Sequence, residues 1–368
     1  MKNRNLSSTV ILLLAAIYFI SQFYRASLGT LTSDIEQDFF LNPEELGRLG
    51  AVFFLAFAFT QVPLGIILDY YNPIKVIVLM LLIVYLGTII IAFSDSYFSI
   101  VFGRFLQGIG CGVCLMGPLV FLSKNVPENK FSKTSGYVMG LGGLGALVAT
   151  QPFYYLTLEF GWKKSYYITT FFIIFLIICI VCFFFKEINL NKENKKNLNL
   201  HAYFQIILSK NFLYMLPMSF FGYASFAFLL TLWGGEYLEL VLEMKKTNIG
   251  KVLMFMALCW SLGSFFYGLL VNKINNKKNI VIFSALILIF LLLILLSSTN
   301  LSFYYALLLF GCIGFVGAFT LVVISQYRSL FSSNLIGKVL TTANFFNFLG
   351  VFFVQWSTGL IMHLSKTE

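Results

Sequence analysis

Two arginines lie inside long apolar blocks of the sequence, where a charged side chain costs at least a few kcal/mol. Arg25 falls about six residues past the middle of the first block, and Arg104 about five residues before the middle of the fourth. If the blocks are helices that alternate in direction, both arginines lie about 8–9 Å from the membrane midplane on the same side. Facing one cavity, they would form a clamp for a carboxylate or phosphate. The alternative for Arg25 is to extend to the lipid headgroups, with Tyr24 packed on it.

A second group of side chains in these blocks is polar but uncharged. Gln107 and Tyr18 belong to it, and Asn344 and Asn347 share one helical face because they are one turn apart. Each has the alternative of an interhelical hydrogen bond or a packing role. The residues that we predict to contact substrate are Arg25, Tyr24, Gln22, Arg104, Gln151, Tyr223, Trp260, Asn344, Asn347 and Gln355.

Acidic residues are confined to the ends of the blocks and to the loops, where all fifteen are found. Proton-coupled transporters commonly bury a carboxylate, and Glu236 is the nearest candidate for that role. The excess of positive charge inside the blocks favours an anionic or zwitterionic substrate. His201 and His363 lie outside the blocks, and the cysteines inside them are typical of small apolar residues. We therefore expect no catalytic residue, no metal, no cofactor and no enzyme activity.

The blocks that hold these residues predict transmembrane helices. Hydrophobic residues make up 59% of the chain and charged residues 11%, against about 25% charged residues in soluble domains. Each block is about 20 residues long, the length that crosses a bilayer as a helix. The net charge of +10 does not indicate nucleic-acid binding, because the lysines lie in short loops between blocks. The eleven predicted spans are 8–30, 46–68, 74–94, 97–122, 134–157, 164–185, 210–233, 248–271, 279–298, 301–325 and 337–360.

A Lys- and Asn-rich segment divides these spans into six and five. The predicted units are an N-terminal bundle (1–185), a linker (186–209) and a C-terminal bundle (210–368). Lysine and arginine are concentrated in the segments on the same side as the N-terminus, which predicts that the N-terminus and the linker are cytoplasmic.

The two halves resemble each other in sequence. Gly108 and Gly311 lie 203 residues apart, and so do the segments 65–75 and 268–278. These matches predict a duplicated six-helix unit with the substrate bound between the halves near the midplane.

Residues 65–75, Gly-Ile-Ile-Leu-Asp-Tyr-Tyr-Asn-Pro-Ile-Lys, resemble the G-x-x-x-D-R-x-G-R-K motif of the major facilitator superfamily. Gly65, Asp69 and Lys75 match that motif, whereas asparagine stands at the second glycine. Because asparagine tolerates a left-handed backbone, we expect Asn72 to preserve the turn. Residues 103–110 resemble the fourth-span motif of the superfamily. The resemblance implies that Gly65, Asp69, Lys75 and Arg104 form a conformational motif, and Arg104 is more often structural in this superfamily.

The resemblance extends over nearly the whole chain and implies an all-α membrane protein of the major facilitator fold. Residues 23–27 and the Gln355-Trp356 pair are similar to a bacterial branch of sugar-phosphate and organic-anion permeases. We expect a monomeric secondary transporter in a bacterial cytoplasmic (inner) membrane. Its expected substrate is a small organic anion or zwitterion. The superfamily has twelve spans, so the twelfth helix is expected to be missing. The alternatives are a transport-silent receptor for the same ligand and a truncated, inactive remnant.

Overall fold

A computed structural model describes residues 7–185, 201–273, 276–298, 302–332 and 335–367, and all regular elements in these ranges are helices. The helices of the N-terminal half are α1 (Ser8–Ala26), α2 (Thr32–Phe39), α3 (Pro43–Tyr70), α4 (Pro73–Ala92), α5 (Tyr97–Cys111), α6 (Val113–Asn125), α7 (Glu128–Val148), α8 (Gln151–Phe160) and α9 (Trp162–Phe183). A short 3₁₀ turn, Ser27–Thr30, extends α1. Of the predicted linker, residues 186–200 lie outside the described residues.

The C-terminal half begins with a short helix and contains one irregular span. Its helices are α10 (His201–Leu208), α11 (Lys210–Phe221), α12 (Ala224–Phe228), α13 (Gly234–Glu236), α14 (Lys246–Lys273), α15 (Lys277–Ser297), α16 (Phe303–Gly317), α17 (Thr320–Leu330) and α18 (Ile336–Thr367). Two π-helical turns, Leu229–Trp233 and Tyr237–Val241, flank α13. Such turns are rare and occur frequently at functional sites.

Ten helical segments of the described chain are long and apolar enough to cross a membrane, against eleven predicted. The difference is the predicted span 134–157, which folds as α7 and α8 with a break at Ala149 and Thr150. Pro152 lacks the N–H that would bond the Val148 carbonyl, so a continuous helix would lose a hydrogen bond there. Instead the Thr150 hydroxyl donates to the Leu147 carbonyl at 2.7 Å.

Asn72 caps the start of α4 with an extended backbone instead of the left-handed backbone expected from the sequence. Its backbone is extended, with φ −64° and ψ 122°, and its side-chain oxygen accepts from the Ile74 N–H at 2.9 Å. The expectation of a left-handed backbone at Asn72 is therefore wrong. The physical reason is Pro73, which begins the helix and restricts the preceding residue to extended conformations.

The two halves pack against each other along the antiparallel helices α3 and α18. Phe54 stacks on Phe348 with ring centres 6.2 Å apart, and Phe59 meets Phe345 edge to face at 5.6 Å. We call the end of the bundle that carries α10 and Asn72 the linker side, and the opposite end the far side.

On the far side the halves are closed against each other. A Cβ atom on Gly29 would collide with the Leu230 carbonyl, and one on Gly235 with the Gly29 carbonyl, so both glycines permit backbone-to-backbone approach. Lys246 and Asp34 form an ion pair across the same closure, with Nζ 2.6 Å from Oδ1.

Candidate functional site

A small cavity lies between the halves, below the far-side closure. Its volume is about 20 Å³, and a cavity of this size has room for one or two water molecules. The N-terminal half contributes residues of α1 and α7, and the C-terminal half contributes α12, the first π-helical turn and α14. The lining residues are Gln22, Arg25, Ala26, Gly143, Ala146, Tyr223, Phe226, Leu230, Thr231, Ala257, Trp260 and Ser261.

Arg25 is the charged residue of this cavity and lies in the last turn of α1, with 7% of its surface exposed. Its guanidinium carbon lies 4.8 Å from the ring centres of both Phe57 and Phe348, which belong to different halves. Nη1 donates to the Tyr223 hydroxyl at 3.5 Å, and Nη2 donates to the Ser21 hydroxyl at 3.2 Å. The side chain is thus held between the halves by aromatic faces and two long hydrogen bonds.

Two N–H donors that belong to residues lining the cavity lack hydrogen-bond partners. They are Nε of Arg25 and Nε1 of Trp260, and both are buried. Among the acidic residues that the structure describes, none forms an ion pair with Arg25. A guanidinium has five N–H donors and no acceptor, so this site is short of acceptors and of negative charge. A buried charge without a partner costs several kcal/mol, which an incoming anion would offset.

Arg104 lies outside the cavity and binds within the N-terminal half. Nη1 donates to the Tyr24 carbonyl at 2.7 Å and to Oε1 of Gln107 at 3.2 Å. The guanidinium carbon lies 4.7 Å from the centre of the Phe53 ring. Tyr24 is also fully buried, with its hydroxyl 2.7 Å from that of Thr169. The two arginines therefore do not meet as one clamp in this structure.

The other predicted site residues divide between the cavity and the contacts around it. Gln22, Tyr223 and Trp260 line the cavity with Arg25. The remaining predicted residues lie outside the cavity lining.

Gln355 connects α18 to the first π-helical turn. Its side-chain N–H donates to the Thr231 hydroxyl at 2.6 Å, and its backbone carbonyl accepts from Nε1 of Trp233 at 3.1 Å. Gln151 lies against Gly250 between α8 and α14, with neither amide atom hydrogen bonded.

Asn344, Asn347 and Glu236 do not line the cavity. The two asparagines are partly exposed on α18. Glu236 is 4% exposed and lies between the two π-helical turns.

Of the conformational motif predicted from the resemblance, Gly65, Asp69 and Lys75 lie on the linker side, where α3 meets α18 and α10, whereas Arg104 lies apart from them against the Tyr24 carbonyl. A Cβ atom on Gly65 would lie 3.5 Å from the Thr341 methyl group and 3.6 Å from the Tyr203 hydroxyl. Burial raises the pKa of that hydroxyl, the hydrogen bond with Thr341 opposes the rise, and the charge of Asp69 adds to it. Lys75 is partly exposed in the first turn of α4.

Sequence reasoning missed several residues of the site. Ser21 lies one turn before Arg25, and that spacing was a usable indication. Phe226 also lies one turn after Tyr223. Phe57 and Phe348 carried no such indication, because they come from α3 and α18 and meet Arg25 only in the folded chain.

Curated relatives resemble parts of the chain. An uncharacterized transporter of Buchnera aphidicola is 32% identical over 151 residues, covering 40% of this chain and 37% of that protein. A probable sulfoacetate transporter of Cupriavidus necator is 23% identical over 188 residues, covering 51% of this chain and 44% of that protein. The chain thus matches less than half the length of each of these relatives.

Solved structures and the family model cover nearly the whole chain. A bacterial homologue of the human lysosomal transporter Spinster, in an inward-facing and occupied conformation, superposes with a TM-score of 0.79 at 16% identity. That match covers 97% of this chain and 82% of the other, and at this identity it shows the fold alone. The model of the Major Facilitator Superfamily matches residues 14–354. The sequence, its helical architecture and this match together establish that the chain belongs to the Major Facilitator Superfamily.

Proposed function

We propose that this chain is a secondary transporter that moves a small organic anion or zwitterion across a bacterial cytoplasmic membrane by alternating access. In this proposal the bundles 1–185 and 210–360 rock about the cavity, the chain is a monomer and its N-terminus is cytoplasmic. The linker side then faces the cytoplasm. The helices α7 and α8 together make an eleventh crossing, supported by the close packing of Gly145 on the Phe19 carbonyl of α1.

The observation that carries the proposal is the uncompensated charge of Arg25 in the cavity between the halves. Because Arg25 contacts Phe57 from one half and Phe348 from the other, rocking of the halves would change its surroundings. An anion that neutralises Arg25 would therefore bind the two conformations of the rocking cycle with different affinities. A ligand needs such a difference in affinity to shift the populations of the two conformations. The Cupriavidus relative, a probable sulfoacetate transporter, is consistent with an anionic substrate.

We further propose that a proton gradient supplies the energy for transport. Glu236 is buried between the two π-helical turns, and a buried carboxylate in a membrane protein suits a proton carrier. A Glu236→Gln variant is expected to lose uptake driven by a pH gradient and to retain counterflow exchange, which needs no net proton transfer. Loss of counterflow in this variant would instead indicate a structural role.

Counterflow in proteoliposomes tests the anion proposal. Purified protein is reconstituted and screened with labelled benzoate, succinate, glucose phosphate, alanine and neutral glucose. Arg25→Gln is expected to lower saturable anion counterflow at least tenfold, because it removes the charge while keeping a polar side chain. The matched control is Arg48→Gln, since Arg48 is half exposed and pairs with Glu44 one turn away.

Three outcomes would contradict the proposal in different ways. Unchanged anion counterflow in Arg25→Gln would exclude Arg25 from the substrate site. Exchange of glucose alone would exclude an anionic substrate. Saturable anion binding without any counterflow would identify a transport-silent receptor.

A further inference from the structure

The cavity between the halves carries one cationic group, and this limits the charge of its ligand. Among the described residues that line it, Arg25 alone is charged. Arg104 is committed to the Tyr24 carbonyl and to Gln107, away from the cavity. A ligand with one negative charge is neutralised by Arg25, whereas a second negative charge would be buried without a partner at considerable cost.

Two buried polar groups of the lining residues lack a hydrogen-bond partner, and both are donors. Nε of Arg25 comes from α1, and Nε1 of Trp260 comes from α14 in the other half. No lining residue has a buried acceptor without a partner. An ionised carboxylate or sulfonate offers acceptors only, so it can accept from both donors and connect the halves.

The walls of the cavity differ in shape between the halves. Phe226 and Trp260 stack on each other, with ring centres 5.5 Å apart and planes inclined by 14°. The N-terminal half presents only small side chains beside Arg25 and Gln22, namely Ala26, Gly143 and Ala146. A Cβ atom on Gly143 would meet no atom within 4 Å, so space remains beside α7. An aromatic wall facing a wall of small residues forms a slot that suits a flat group.

The small volume of the cavity is consistent with a slot that widens on binding. A ring cannot enter about 20 Å³ unless side chains or helices move. Trp260 is partly exposed, and its stack with Phe226 offers an aromatic surface to a ligand ring once the slot has widened.

We propose that the cavity selects a monovalent aromatic acid, a carboxylate or sulfonate joined to a flat ring. Arg25 and Trp260 donate hydrogen bonds to the acid group, and the ring packs on Phe226. The inference rests on the proposed function, in which this cavity is the substrate site, and it adds the charge number and the shape of the substrate.

Equilibrium binding of a defined ligand panel to the purified full chain tests the inference without requiring transport. The probes are benzoate, phenylacetate and benzenesulfonate. Neutral benzamide, saturated cyclohexanecarboxylate and divalent phthalate are the comparisons. At least one aromatic monoanion is expected to bind saturably. Benzamide and phthalate should bind at least tenfold more weakly, and cyclohexanecarboxylate a few-fold more weakly.

The panel separates the inference from the proposed function. Benzamide binding as tightly as benzoate would contradict the anionic substrate itself. Tighter binding of phthalate or cyclohexanecarboxylate than of benzoate would overturn the inference and leave an anion transporter standing. Absence of binding by all three aromatic monoanions would also overturn the inference.

Two tryptophan variants separate ligand contact from folding. Trp260→Phe keeps the ring and removes the N–H, so benzoate affinity is expected to fall about fivefold. The matched control is Trp356→Phe, which removes another buried indole N–H without a partner, from a ring that stacks on Phe352 outside the cavity. Equal affinity losses in the two variants would assign the effect to packing and overturn the role of Trp260.

Discussion

The far-side ion pair of Asp34 and Lys246 is the contact through which the closed state can be perturbed most directly. It joins α2 of the first half to α14 of the second, with Nζ of Lys246 2.6 Å from Oδ1 of Asp34. The side chains are 29% and 32% exposed, so the pair is neither fully solvated nor fully buried. Asp34→Asn removes the charge with little change in shape.

The expected size of the effect follows from this partial burial. A hydrogen bond between charged groups contributes about 1.5–3 kcal/mol, and exposure of roughly a third lowers this toward the range of about 0–1 kcal/mol for surface pairs. We take about 1.4 kcal/mol, which corresponds to a tenfold shift of the equilibrium away from far-side closure. Raising the salt concentration to about 1 M should reduce the difference between wild type and variant.

Distances between spin labels measure this equilibrium directly. Labels at Phe40→Cys and Tyr304→Cys, both exposed at the far side, are introduced after replacement of the native cysteines. Asp34→Asn should increase the population with a long interlabel distance about tenfold. The charge swap Asp34→Lys with Lys246→Asp should restore much of the closed population.

The control for this prediction is a second ion pair that does not join the halves. Lys163 and Asp95 both belong to the N-terminal half, with charged atoms 3.7 Å apart and Asp95 96% exposed. Asp95→Asn should leave the distance distribution unchanged. The reasoning is refuted if Asp34→Asn also leaves it unchanged, or if the charge swap opens the far side further than either single variant.

Three further predictions concern stability, measured by thermal unfolding of the purified protein in detergent. Arg104→Gln should lower stability by about 1–3 kcal/mol because the buried Tyr24 carbonyl loses its charged donor, and an unchanged or increased stability would contradict this. Gly145→Leu should prevent close packing on the Phe19 carbonyl and lower stability by at least about 1–3 kcal/mol. Asn72→Ala should cost about 1 kcal/mol, and Asn72→Gly only a few tenths; a gain in stability for Asn72→Gly would support the left-handed turn that the structure does not have.

The second predicted span begins at residue 46, whereas α3 begins at Pro43, so the local signal at its start was missed. Asn42 and Pro43 begin α3 with a reciprocal cap, in which Asn42 and Glu45 bind each other's backbone N–H at 3.0 and 2.9 Å. Such caps involve residues at most three apart, so they can be read from the chain alone. The break between α7 and α8 was missed for a related reason, since hydropathy averages over Pro152 and does not weigh one lost hydrogen bond.

The site was only partly predictable because its residues come from distant positions. Arg25 was found because an arginine in an apolar block is unusual. The same reasoning selected Arg104, whose Nη1 donates to the Tyr24 carbonyl and to Gln107 outside the cavity, although its Nε lacks a partner as that of Arg25 does. Depth along a helix can be estimated from residue numbers, but the direction in which a side chain points depends on neighbouring helices.

The sequence by itself determined that this protein lies in a lipid bilayer as a set of helices. Apolar blocks of membrane length can form all their backbone hydrogen bonds there only as helices. The sequence also determined the superfamily and that a positive charge lies in the interior. The tertiary structure decided which arginine faces the cavity, through the packing of Phe57 and Phe348 on the two sides of Arg25. It also paired Asp34 with Lys246, 212 residues away. Such contacts depend on how helices rotate and cross, and no local pattern encodes that arrangement.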